Sequence, residues 1–250
     1  MTAPAHTAPA AGLSVSIHGL GKRFGEREVL RDISFTARAG RVTGYLGPNG
    51  SGKTTTIRIL LSLTGATAGS VGFGERSYPS IPRPSRAVGV LLENTGLHPG
   101  LTPVTHLRIA AAASGVPMSR IAEVLDEVGL SEVADRKIKT FSQGMRQRLG
   151  LALALLPEPA TLILDEPANG LDPEGVIWMR GLLRGYAARG ATVLVTSHVL
   201  AELERFIDDV IVIGSGRILA QTALDRLPDD TDLEAFYLST LHSTGQKAQA

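Results

Sequence analysis

The amino-acid sequence predicts an α/β fold that combines a mostly parallel sheet, an antiparallel β subdomain and an inserted α-helical subdomain. The first observation is that apolar, strand-like segments alternate with helical ones, an order that implies right-handed crossovers and parallel strands. The second is a pair of strand-like segments near the start of the chain with no helical stretch between them. The third is a block at residues 96–156 in which helical periods are separated by proline and glycine.

Each predicted element follows from its local pattern. Residues 13–17 alternate as an edge strand does, residues 29–35 lead into a second, antiparallel strand, and residues 65–74 are rich in turn residues. Short apolar runs predict the remaining strands, at residues 41–46, 87–92, 161–164, 192–195, 210–213 and 217–220. Apolar residues at helical spacing predict helices at residues 54–63, 104–113, 119–128, 144–156 and 173–189.

Length and composition limit the function classes and the domain plan. The net charge of +1 gives no bulk field for nucleic acid, the 4% aromatic content disfavours base stacking, and the lack of cysteine excludes disulfides and thiolate metal sites. We expect residues 1–12 to form a disordered tail, residues 13–225 to form the main domain and residues 226–250 to form a C-terminal tail. No window reaches the roughly 18 apolar residues of a membrane span, so a membrane role would need another chain.

The strongest local motif is the loop at residues 47–54, in which two glycines bracket four residues and Lys-Thr follows. Glycines let backbone N–H groups point inward, and the helix that follows adds its positive end, so the pattern predicts a phosphate-loop NTPase core. We expect Lys53 to reach the β- and γ-phosphates and the Thr54 hydroxyl to ligate Mg²⁺. The predicted nucleotide-contacting residues here are Gly47, Pro48, Asn49, Gly50, Ser51, Gly52, Lys53, Thr54 and Thr55.

Two carboxylates follow the predicted strand at residues 161–164. Asp165 is expected to hold Mg²⁺, directly or through water. Glu166 is one residue further on and faces differently, so it is expected to polarise the attacking water. An acidic strand end without chemistry is the alternative, and the phosphate loop upstream disfavours it. Together the two motifs predict a nucleotide hydrolase in which Glu166 and Lys53 are catalytic.

A small polar turn before a predicted helix, at residues 142–148, adds a third motif. Ser142 can cap this helix and also contact a γ-phosphate, since a helix N-terminus favours anions. With this turn the chain resembles the ATP-binding cassette (ABC) ATPases over residues 13–220. The family's Leu-Ser-Gly-Gly-Gln appears here with Ser142 and Gly144 retained, and without its first glycine and its glutamine. The resemblance implies that two copies close head to tail, so that Ser142 and Gly144 contact the ATP bound to the other copy.

Further positions match this family one by one. The resemblance implies that Phe24 stacks on adenine, that Asp172 belongs to a loop at the dimer interface, and that His198 contacts the γ-phosphate. The alternatives are a core aromatic at Phe24 and a structural histidine at His198. Most family members have a glutamine where this chain has Glu93. A carboxylate near Mg²⁺ stays ionised, so Glu93 is a candidate metal ligand beside Thr54 and Asp165.

Glu93, residues 96–99 and the variant Ser-x-Gly turn are similar to those of the ATPases of antibiotic and lantibiotic exporters, the bacitracin- and multidrug-resistance type. This implies an ATP-hydrolysing subunit at the cytoplasmic face of the cell membrane that drives export of a drug, antibiotic or peptide through a separate permease, with no nucleic-acid partner. The rival is a soluble ABC ATPase that acts on nucleic acid, ribosomes or cofactor assembly. A nucleotide-gated scaffold that scarcely hydrolyses is disfavoured by Glu166 and His198. The membrane partner sets direction and cargo, so import stays open.

Overall fold

The computed structural model describes residues 12–93, 96–199, 203–228 and 232–243 of the chain, so almost all of the expected N-terminal tail lies outside the described residues. The strands are β1 (Val15–Phe24), β2 (Arg27–Ala37), β3 (Val42–Leu46), β4 (Ala68–Phe73), β5 (Val88–Leu91), β6 (Thr161–Asp165), β7 (Thr192–Ser197), β8 (Asp209–Gly214) and β9 (Arg217–Ala223). The helices are α1 (Lys53–Leu60), α2 (Pro84–Ala87), α3 (Pro103–Ser114), α4 (Arg120–Glu127), α5 (Gln143–Leu155), α6 (Pro173–Ala188) and α7 (Leu233–Ser243).

The larger sheet has six strands in the order β5-β6-β7-β3-β8-β9, and all neighbours are parallel except β8 and β9. Every residue of β3, β6, β7 and β8 is buried. This explains why these strands read as continuous apolar runs, as expected of a parallel sheet covered on both faces. The predicted α/β fold is confirmed, and four strands, β3, β5, β6 and β7, deliver their following segments to one edge.

The smaller sheet is antiparallel and corrects two expectations. β1 lies between β2 and β4, so the prediction of an edge strand at residues 13–17 is wrong. Residues 65–74, expected as turns, contain β4, which pairs with β1 from Val15↔Phe73 onward. Four glycines in this stretch hid the strand, which forms because pairing with a neighbour can override a weak local preference for β structure.

The helical insertion lies between β5 and β6 and consists of α3, α4 and α5. Its apolar residues share one core with one face of the large sheet, and the most buried include Leu107, Val124, Leu149 and Leu155. A second core joins the other face to α1 and the antiparallel sheet. The apolar run at residues 149–156 is a buried helix, as predicted.

The end of the described chain packs onto the first core. Leu233, Tyr237 and Leu241 of α7 are buried there, and the Leu233 backbone N–H donates to Glu204 Oε1 at 2.8 Å. The helix therefore covers part of the main domain. Among the described residues, no helix is long and apolar enough to cross a membrane.

Candidate nucleotide-binding site

Ten of the predicted site residues line one cleft of about 670 Å³ at the carboxyl ends of the parallel strands. This position follows from the topology, because the carboxyl ends of parallel strands share one edge and ligands bind outside that edge in open α/β sheets. The cleft is lined by Phe24, Arg27, Val29, Asn49, Gly50, Gly52, Lys53, Thr54, Thr55, Glu93, Glu166, Asn169 and His198.

The phosphate loop connects β3 to α1 and holds its lysine in place. Gly52 precedes α1 with a φ of 112°, a conformation that side chains rarely adopt. Lys53 is buried, and its Nζ donates to the carbonyl oxygens of Gly47 at 2.6 Å and Pro48 at 3.3 Å. Burial lowers the pKa of Lys53, while the carboxylates of Glu166 and Asp165 act to raise it. The hydrogen bonds therefore hold the ammonium group inside the loop, whose backbone N–H groups can donate to phosphate oxygens.

A chain of hydroxyl and carboxylate groups connects α1 to β6 and β7. Thr54 Oγ1 donates to Asp165 Oδ2 at 2.9 Å, and Thr196 Oγ1 donates to Asp165 Oδ1 at 2.5 Å. Asp165 is 1% exposed, so these bonds compensate for its burial. The donor set fits Mg²⁺, which prefers oxygen ligands and keeps several waters and phosphate oxygens beside one or two protein groups. A group of three or more His, Cys, Asp or Glu suited to a metal does not occur among the described residues.

Glu166 presents its carboxylate to the cleft, next to His198 and Lys53. Its Oε2 lies 2.9 Å from His198 Nδ1, and its Oε1 lies 3.8 Å from Lys53 Nζ. The Glu166 backbone has a φ of 51°, a left-handed conformation that is uncommon outside glycine. Its N–H donates to Thr196 Oγ1 at 3.0 Å. The turn after β6 thus aims Glu166 differently from Asp165, and the two carboxylates can take different roles.

Six predicted nucleotide contacts are not among the described residues that line this cleft: Gly47, Pro48 and Ser51 within the phosphate loop, and Ser142, Gly144 and Asp172 away from it. The Ser142 side chain caps α5 by accepting from the Met145 N–H at 3.2 Å. Asp172 caps α6, where its Oδ1 accepts from the Gly175 N–H at 2.7 Å. The last three residues lie at two helix starts outside the cleft, so one copy of the chain does not bring them to its own phosphate loop.

Phe24 and Glu93, the predicted adenine contact and the candidate metal ligand, are exposed residues at the cleft wall. The Phe24 ring is 53% exposed, which rules out the alternative of a core aromatic, and Lys22 Nζ lies 4.6 Å from its centroid. The exposed Glu93 lines the cleft and an adjoining pocket of about 500 Å³ that also contains Gln143 and Gln147. Both side chains can therefore reach a ligand in the cleft.

Sequence reasoning missed four participants. Arg27 and Val29 line the cleft from β2, and Asn169 lines it from the loop after β6. Thr196 joins Asp165 to the Glu166 backbone. Arg27, Thr196 and Asn169 carried a signal, because each lies within three residues of a predicted site residue, whereas Val29 does not.

Comparisons with known proteins agree with this geometry. The ABC transporter family profile matches residues 30–169. The lantibiotic transport ATP-binding protein SrtF of Streptococcus pyogenes is 36% identical over 211 residues, which cover 84% of this chain and 91% of that protein. The bacitracin transport ATP-binding protein BcrA of Bacillus licheniformis is 40% identical over 211 residues, covering 83% of this chain and 69% of that protein. A solved ATP-binding subunit of an ABC transporter matches with a TM-score of 0.83 at 28% identity, covering 90% of this chain and 98% of that one.

Proposed function

The chain belongs to the ABC transporter family, and from that premise we propose that it hydrolyses Mg-ATP to drive export through a separate membrane permease. The observation that supports this most is that Lys53, Thr54, Glu166 and His198 line one cleft and that the buried Asp165 accepts from Thr54 there. These are the side chains that phosphoryl transfer to water requires: a phosphate-binding cation, metal-ligating oxygens and a base.

Within one copy, each side chain has a distinct role. Lys53 binds the β- and γ-phosphates from inside the loop, and Glu166 accepts a proton from the attacking water. His198, hydrogen-bonded to Glu166, contacts the γ-phosphate and orients that carboxylate. Thr54 and Asp165, with Glu93 as a further candidate, would hold Mg²⁺, which neutralises charge on the phosphate oxygens when it is bound.

We further propose that the working unit is a head-to-tail dimer that closes on ATP. The exposed Ser142 and the neighbouring Gly144 lie outside the cleft of their own copy, and α5 presents its N-terminal end at Ser142. A second copy can place this end against the γ-phosphate, where a helix start favours negative charge. Phe24 would stack on adenine at the open side of the cleft, and Asp172 would lie at the interface.

The proposal also covers the kind of cargo and the link to the permease. The relatives SrtF and BcrA are named for lantibiotic and bacitracin transport, and this supports export of a peptide or drug from the cytoplasmic face of the membrane. Glu93, Gly96 and Leu97 line the pocket that adjoins the cleft, which supports a role for the loop at residues 93–99 in passing closure to a partner. An ABC ATPase that works away from membranes is the rival.

The test is affinity purification of the tagged chain from detergent-solubilised membranes of its native host, with co-purifying proteins identified by mass spectrometry. A stoichiometric partner with several membrane spans is the expected result, and its sequence would narrow direction and cargo. Recovery only from the soluble fraction, alone or with ribosomes or nucleic acid, would refute the exporter and favour its rival. The Glu166→Gln variant, which traps the ATP-bound state, is a useful second bait.

A further inference from the structure

One side chain of α5 reaches the backbone of the proposed catalytic base. Gln147 is half-buried, and its Nε2 donates to the carbonyl oxygens of Glu166 at 3.1 Å and Pro167 at 3.0 Å. A glutamine side chain has one NH₂ group with two N–H donors, so both donors are used. Because both partners are carbonyl oxygens that can only accept, the amide nitrogen must face them. The contact therefore depends on donors that no carboxylate or thioether can supply.

The peptide at Glu166 needs external support. Its φ of 51° is sparsely populated for a residue with a side chain, and such conformations persist only where the surroundings fix them. On one side the Glu166 N–H donates to Thr196 Oγ1. On the other side the Glu166 carbonyl accepts from Gln147 and from the Asn169 N–H at 3.2 Å. Gln147 is the side chain that ties this carbonyl to a different element of the fold.

The start of α5 is seated on the same loop. A Cβ added to Gly170, whose φ is 79°, would lie 2.4 Å from Gln143 Cγ. A Cβ added to Gly144 would lie 2.9 Å from the Gly170 carbonyl oxygen. The first turn of α5 and the loop after β6 are thus in close contact. The retained glycine at 144 has a packing reason within one copy, besides any contact with a nucleotide.

We propose that Gln147 is a positioning residue that fixes the Glu166 carboxylate for proton transfer by holding its backbone from α5, an inference that rests on the proposed hydrolytic function. The helix that presents Ser142 to the nucleotide of the other copy thereby also holds the base of its own copy. Movement of α5 on dimer closure is transmitted to Glu166 through two hydrogen bonds. Gln147 itself does not touch the nucleotide.

The experiment compares two variants that remove the donors in different ways. Gln147→Met keeps the length of the side chain, and Gln147→Glu keeps its shape but turns an anionic oxygen toward the two carbonyls. The matched control is Gln221→Met, the same change at an exposed position of β9. For each purified chain we would measure steady-state phosphate release, the Kd of ATP by a fluorescent analogue, and the melting temperature.

We expect both variants to keep the ATP Kd within about twofold and to lower kcat by at least about tenfold, because a misplacement of about 1 Å at the reacting groups can cost about 100-fold. Gln147→Glu should lose more than Gln147→Met, and Gln221→Met should match the wild type. In the Glu166→Gln background, Gln147→Met should have little further effect on residual turnover, since both changes act through the same carboxylate.

Two kinds of result would overturn this inference. Wild-type kcat in both variants, or losses that simply add to those of Glu166→Gln, would show that Gln147 does not act through the base. A loss of ATP binding equal to the loss of kcat would assign Gln147 to the binding site instead. If Glu166→Gln itself turned over normally, the hydrolytic assignment would fail, and this inference with it.

Discussion

The strand-end cleft and the start of α5 differ in how many of their polar groups find partners within one copy of the chain. In the cleft, Thr54 donates to Asp165, the Glu166 N–H donates to Thr196, and the buried Lys53 donates to a carbonyl of the phosphate loop. At α5, the exposed Ser142 hydroxyl makes only a cap to its own helix in the described structure. Folding of one copy assembles the cleft, whereas the N-terminal end of α5 stays exposed and is available to a second copy. Mutations in the two regions should therefore separate chemistry from closure.

The largest expected effect is in the cleft. Glu166→Gln keeps the shape of the side chain but removes the proton acceptor, so turnover should fall by about 100- to 10,000-fold while ATP binding persists. Phosphate release and size-exclusion chromatography with ATP would measure the loss and the trapped dimer. The exposed Glu75→Gln is the matched control. Normal turnover by Glu166→Gln would remove this residue from catalysis.

Next in size is the end of α5. Ser142→Ala should lower turnover by about 10- to 100-fold, the scale of one lost hydrogen bond to a charged group, with an unchanged ATP Kd for the isolated chain. It should also cost about 1 kcal/mol of stability through the lost cap. Phosphate release, ATP-dependent dimerisation and thermal melting would distinguish the two effects.

The matched control for Ser142 is another cap in the same helical insertion. Thr102 caps α3 by accepting from the Thr105 N–H at 3.2 Å. Thr102→Ala should lose similar stability without losing turnover. If the two variants lost turnover equally, Ser142 would be only a cap, and the contrast between the two regions would disappear.

The two regions also differ in how far the sequence revealed them. The loop at residues 47–54 and the carboxylates at 165 and 166 are contiguous motifs whose chemistry is local, so their positions could be predicted. The bonds from Gln147 to Glu166 and from Thr196 to Asp165 join elements distant in sequence, and no local pattern encodes them. The same reason explains the wrong prediction that β1 lies at a sheet edge. β1 is central because it pairs with β4, a strand that its glycines concealed in the sequence.

A smaller effect is expected at the cleft wall. Glu93→Gln replaces a charged oxygen ligand by a neutral one, so half-maximal turnover should need roughly 3- to 10-fold more Mg²⁺, on the scale of about 1 kcal/mol for a partly exposed charge. ATP binding should remain, and Glu93→Asp, which keeps the charge, should be shifted less. The measurement is a Mg²⁺ titration of phosphate release at saturating ATP. Identical titration curves for wild type and Glu93→Gln would take Glu93 out of the metal shell.

The smallest effect concerns a hydrogen bond within the helical insertion. Near the start of α3, His106 Nε2 accepts from the His98 N–H at 3.3 Å. Burial lowers the pKa of His106; a backbone hydrogen bond opposes this, and the nearby His98 adds to the lowering. The unfolded imidazole protonates near pH ~6.5, so below that pH the unfolded state binds more protons than the folded one. The stability that neutral His106 contributes is therefore complete above this pH and is lost as the pH falls through the folded pKa.

Replacing His106 should consequently make stability less sensitive to acid. A hydrogen bond of about 1 kcal/mol corresponds to roughly 2–4 °C in Tm for a domain of this size. We expect His106→Gln to melt below the wild type by that order at pH 7.5, and the gap to close at pH 5. The exposed His18→Gln on the antiparallel sheet is the control. A gap that stayed constant across this range would mean that the titration of His106 does not contribute to the acid sensitivity of stability.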